Sequence, residues 1–141
     1  METESIVIRH ARIIDPSRQL DQVGDILLSN GEIVAAGQLG LDRIPEGARV
    51  IDGTGLVVAP GFIDLHCHLR EPGFEYKETI AAGAKAAAKG GFTTLCAMPN
   101  TDPPIDNAAM VEFIHQKARK ESAVRILPIG CVTKGRKGHE L

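Results

Sequence analysis

The chain has 141 residues, 43% of them hydrophobic and 24% charged, with a formal net charge of -2, the composition of an ordered globular chain of about one domain. No run of five lysines or arginines offers a footprint for nucleic acid or an anionic membrane surface. No apolar stretch approaches the roughly 18 residues of a membrane span, and the acidic start METESIVIRH lacks the basic region and apolar core of a secretion signal, so a cytoplasmic location is expected.

The first 58 residues read as short strands, SIVIRHARII, GDILLSNGEIVAAG and ARVIDGTGLVVA, rich in Ile and Val and broken by Asp-Pro, Asn-Gly and Gly-Thr-Gly turns. Asn30-Gly31 between DILLS and EIVAAG predicts a two-residue hairpin turn, because both central residues must adopt positive φ. A small β domain over 1–58 follows.

After Pro60 the pattern becomes strand, loop, helix, repeated. GFIDLHCH is an apolar run of period two, YKETIAAGAKAAAKGG an alanine-rich helix stopped by Gly90-Gly91, and FTTLCAMPN the next strand. In DNAAMVEFIHQKARKES, Asp106 is the candidate N-cap, Ala109, Phe113 and Ala118 suggest the apolar stripe, and Lys117, Arg119 and Lys120 favour the C-terminal end through the helix dipole. VRILPIGCVT supplies a third strand. Strands alternating with helices over 59–141 predict an α/β class with a parallel sheet. Cys67, Cys96 and Cys131 form no CxxC pair, and each sits near the end of an apolar run, as a free cysteine acting as a small hydrophobe does.

On a strand, side chains at i and i+2 share a face, so Phe62, Asp64, His66 and His68 lie on one side. Two neutral imidazoles there can reach one metal ion, with further donors from elsewhere. The competing reading is two partly exposed histidines at a strand end. Arg70 continues the alternation, which would put its guanidinium beside the histidines, suited to a bidentate contact with a carboxylate; the alternative is a surface salt bridge to Glu71. Asn100, in MPNT at the end of the next strand, would approach the same place, where its amide can donate to a carboxylate or serve as a turn residue.

These residues carry a resemblance. APGFIDLHCHLREPGFEYKETI, GGFTTLCAMPNTDPPIDN and ILPIGCVTKGRKGHEL resemble the opening of a dihydroorotase, in the amidohydrolase superfamily of metal-dependent (β/α)8 barrels preceded by a small β-sandwich. The resemblance runs from about residue 5 to the last residue. It implies that His66 and His68 are zinc ligands, with two zinc ions per intact subunit. It also implies that Arg70 and Asn100, together with His68, hold the substrate, dihydroorotate or carbamoyl-aspartate, in a step of pyrimidine biosynthesis. Asp64 could orient a neighbour from the ligand face.

The rest of that site has no counterpart in the sequence. A barrel of this class takes eight βα units and about 250 residues. The family's bridging carboxylate (an Asp or a carboxylated Lys), two more histidines and the general acid/base Asp are expected beyond residue 141, so no residue here is assigned as the catalytic acid or base. His115, mid-helix, His139, in the polar tail, and His10, in the β domain, match none of these roles. The expectation is the N-terminal fragment of a dihydroorotase, inactive and poorly soluble alone. When intact it would be a homo-oligomer or a component of an aspartate carbamoyltransferase complex. The competing readings are a hydantoinase or allantoinase, disfavoured by Arg70 with MPNT, and a non-catalytic dihydroorotase-like partner of aspartate carbamoyltransferase, disfavoured because both histidines and Arg70 are kept.

Overall fold

The structure, a computed structural model, describes residues 5–141; the first four residues of the acidic start lie outside the described residues. The chain divides into two compact units, one ending at Pro60 and the other running Gly61–Leu141.

The first unit contains β1 (Ser5–Asp15), β2 (Leu20–Ser29), β3 (Glu32–Gly37), β4 (Arg49–Asp52) and β5 (Val57–Val58), in a five-stranded sheet of order β3-β2-β1-β4 with β5 also on β1. β1, β2 and β3 run antiparallel, while β4 and β5 lie parallel to β1. Asn30 (φ 54°) and Gly31 (φ 78°) make the predicted hairpin turn between β2 and β3. At Asp-Pro the side chain of Asp15 accepts the Ser17 backbone N–H at 3.0 Å, closing the turn out of β1. One core gathers Val7, Leu27 and Leu39, with Ala35, Ile44 and Ala48 against them. Between Ile8 and Ala11 the β1–β2 register slips, and there His10 takes φ 60° with its backbone N–H donated to the buried Asp25 carboxylate at 2.9 Å.

The second unit alternates as predicted: β6 (Phe62–Cys67), α1 (Ile80–Lys89), β7 (Phe92–Ala97), α2 (Ala108–Glu121) and β8 (Arg125–Pro128), with all three strands parallel in the order β6-β7-β8. Its core is Leu69, Ile80, Ala84, Leu95, Ala97, Ile105, Ile114, Ala118 and Ile126. α1 starts later than its alanine-rich sequence suggests, because the Thr79 hydroxyl accepts the Ala82 N–H at 3.2 Å and fixes the first turn there. The small residues of α1 allow a close approach: a Cβ at Gly83 would lie 2.6 Å from a Leu69 methyl. Gly91, at φ 82°, then turns the chain into β7.

α2 departs from the predicted detail in two ways. Its N-cap is Asn107, whose Oδ1 accepts the Met110 N–H at 3.0 Å, rather than Asp106. The Asp106 carboxylate instead accepts the Gly135 N–H at 2.8 Å, and this contact holds it below its ordinary pKa. The buried face is Ile114 with Ala118, the one member of the predicted stripe that is buried, and Met110 and Val111 pack beside it. Ala109 and Phe113 face outward. β8 is shorter than VRILPIGCVT, ending at Pro128, which cannot donate to a ladder.

Candidate functional site

β6 and β7 end side by side, with the Met98 N–H donating to the Cys67 carbonyl at 2.9 Å. This pairing places whatever follows each strand at one rim. His66 is the penultimate residue of β6 and His68 the first beyond it. Their rings lie on one side with centroids 5.2 Å apart, inclined by 66°, and both are exposed.

Asn100, three residues past β7, reaches the same place. Its Oδ1 sits 2.8 Å from His68 Nδ1. With the amide oxygen as acceptor, Nδ1 is the donor, and the neutral tautomer that satisfies this contact has its lone pair on Nε2. That is the arrangement by which a neighbouring acceptor prepares an imidazole for a metal. It also leaves the Asn100 amide N–H groups free of this contact and available to an anion. Two imidazoles so placed fit a zinc ion that takes its other donors elsewhere. Among the described residues, no group of three or more His, Cys, Asp or Glu gathers at one point.

Asp64, considered as a residue that orients a neighbour, holds His66 through its backbone. Its Oδ1 accepts the backbone N–H of His66 at 2.9 Å. The β6–β7 register slips between Asp64 and Cys67, where that N–H is turned to the carboxylate. Asp64 thus shapes the backbone that carries the first histidine.

Arg70 lies in the loop after β6, and the strand ends at Cys67, so period-two alternation does not extend to it. Its backbone is left-handed, at φ 62°. The Arg70–Glu71 ion pair of the competing reading is absent among the described residues: Glu71 is buried (6% exposed) and pairs with Lys117 Nζ at 2.9 Å. This hydrogen bond raises the Lys117 pKa. The other Glu71 oxygen accepts the Ile80 N–H at 2.8 Å, at the first turn of α1. Nothing local in the sequence signals the Glu71–Lys117 pair, because its members are brought together only when α2 packs beside the loop.

The remaining candidates stay outside this rim. His10 lies at the β1 bulge, 3.9 Å from Asp52; His115 is half-buried on α2, and His139 is exposed in the tail. All three cysteines are free, and burial pushes the Cys67 thiol up to about 11, which keeps it protonated at neutral pH.

A family model described as Dihydro-orotase-like matches residues 55–141. A dihydroorotase from Citrifermentans bemidjiense is 50% identical over 137 residues, covering 97% of this chain and 32% of that protein. Another from Aquifex aeolicus is 48% identical over 136 residues, covering 96% and 32%. The chain therefore spans about a third of the length of the curated relatives it matches. Among solved structures, a D-hydantoinase (dihydropyrimidinase) from Thermus sp. is similar at 34% identity and a TM-score of 0.70, covering 91% of this chain and 28% of that one. An L-hydantoinase (dihydropyrimidinase) from Arthrobacter aurescens shares the fold with a TM-score of 0.79 at 23% identity, again covering 91% and 28%.

Proposed function

This chain belongs to the dihydro-orotase-like family, and from that premise we propose that it supplies the N-terminal part of a cytoplasmic, zinc-dependent dihydroorotase. The reaction is the reversible hydrolysis of (S)-dihydroorotate to N-carbamoyl-L-aspartate. On this reading the three parallel strands open a (β/α)8 barrel, and the first unit is part of a β-sandwich. The observation that carries the proposal is the meeting of His66, His68 and Asn100 at the rim where β6 and β7 end, with the His68–Asn100 contact at 2.8 Å.

His66 and His68 would hold the zinc, His68 through Nε2. When bound, zinc supplies Lewis-acid polarisation of the cyclic amide and acidifies water toward neutral pH. Asn100 serves two partners: its carbonyl oxygen fixes the His68 tautomer, while its amide donates to the substrate carboxylate. Arg70, with no ion-pair partner among the described residues, offers that carboxylate a planar pair of donors. The proton shuttle and the other metal donors would come from the remainder of a protein of family length.

The likeness to hydantoinases fits the shared fold, and a substrate panel separates the activities. The protein of family length that carries this chain should turn over dihydroorotate and leave hydantoin and allantoin untouched, whereas the 141-residue chain with added zinc should turn over none. Hydantoin turnover without dihydroorotate turnover would overturn the assignment.

A further inference from the structure

Arg70 is a substrate-binding candidate whose placement no strand dictates. It sits in a left-handed backbone conformation, which residues with a Cβ adopt uncommonly and at a cost the surroundings must offset. What surrounds it is specific. The next residue, Glu71, is drawn inward and bonded at both carboxylate oxygens, to the Ile80 N–H at 2.8 Å and to Lys117 Nζ at 2.9 Å. Lys117 is steadied in turn by Glu121, one helical turn on, at 3.3 Å. Beyond Glu71, the Asp102 N–H donates to the Pro72 carbonyl at 3.0 Å. There Gly73 (φ 94°) lies so close to Asp102 that a Cβ would not fit. The Arg70 carbonyl is itself held, accepting the Phe74 N–H at 3.0 Å.

The arrangement has an electrostatic side. A carboxylate adjacent in sequence to an arginine is its nearest competitor for an incoming anion. Burial of Glu71 against Lys117 removes that competitor and leaves the guanidinium charge for a ligand.

We propose that Glu71 and Lys117 are positioning residues for substrate binding: their buried pair, anchored on α1 and α2, fixes the backbone at Arg70 and keeps its guanidinium unpaired. This deepens the proposed function and rests on its reading of Arg70 as a carboxylate-binding residue. Neither Glu71 nor Lys117 touches the substrate.

The test is steady-state hydrolysis of dihydroorotate by the zinc-loaded protein of family length. Lys117→Met and Glu71→Gln should each raise KM on the order of ten-fold, with kcat changed by less than about two-fold and zinc content unchanged, because a binding contact is lost and the metal centre is not. Lys117→Arg, which keeps the ion pair, should restore near-normal KM. The double variant should be no worse than the poorer single, since both act through one pair. Glu71→Gln guards against misfolding of Lys117→Met, because the glutamine keeps an acceptor for the Ile80 N–H and removes the charge that Lys117→Met would leave buried and unpaired. Arg70→Ala is the reference arm. If it raises KM while the Glu71 and Lys117 variants lower only thermal stability, the positioning role is refuted and the assignment of Arg70 survives. If Arg70→Ala leaves KM unchanged, the carboxylate-binding reading fails, and the inference fails with it.

Discussion

β6 and β7 are neighbouring six-residue apolar strands in one parallel sheet, yet they live in different surroundings. In β7, Leu95 and Ala97 are each 4% exposed, pressed under the helices. In β6, Ile63 and Leu65 are 59% and 73% exposed, and Phe62 is 59% exposed. β7 has a strand on each side, whereas β6 is an edge of the sheet. A parallel strand normally carries apolar residues because both its faces are covered. The sequence of β6 is thus that of a covered strand in an uncovered place, and β6 is the strand that carries the histidines. The strand that carries His66 is the exposed one, while the strand that leads to Asn100 is braced within the described residues.

That contrast can be broken or sharpened by substitution. Leu95→Ala should destabilise the chain by about 2–5 kcal/mol in urea unfolding, as truncation in a closed core does. An intermediate effect is expected at the start of α2. There Asn107→Ala should cost about 1 kcal/mol, as loss of an N-cap does. Asp106→Ala should leave the helix intact and instead speed hydrogen exchange at Gly135, whose N–H it accepts. Leu65→Ala should cost less than about 0.5 kcal/mol in the 141-residue chain, as an exposed site does. In a protein of family length, the same substitution should cost as much as Leu95→Ala. A neutral Leu65→Ala in the longer protein would end the view that β6 awaits cover.

Much of this was written locally. Asn30-Gly31 specifies its turn because only residues tolerant of positive φ can fill it, and the alternation after Pro60 specifies parallel strands because helices must cross between them. The meeting of His66 and His68 is legible because His66 lies within β6 and His68 follows directly on its last residue, which keeps the two rings together. Where two adjacent residues have the same capping chemistry, as Asp106 and Asn107 do, local reading cannot choose. Packing of Ile114 and Ala118 chooses, and it turns Ala109 and Phe113 outward. The surroundings of Arg70 were least legible. Alternation ends with the strand at Cys67, and the loop beyond is held by Lys117, 46 positions from Glu71 in sequence (117 minus 71).

The central claim is that His66 and His68 hold a metal ion at the end of β6. It is tested most directly by the zinc content of the purified protein of family length after dialysis, measured by mass spectrometry for the wild type, His66→Ala, His68→Ala and Arg70→Ala. The account predicts that each histidine variant loses zinc while Arg70→Ala keeps the wild-type amount. Full zinc retention in both histidine variants would contradict it.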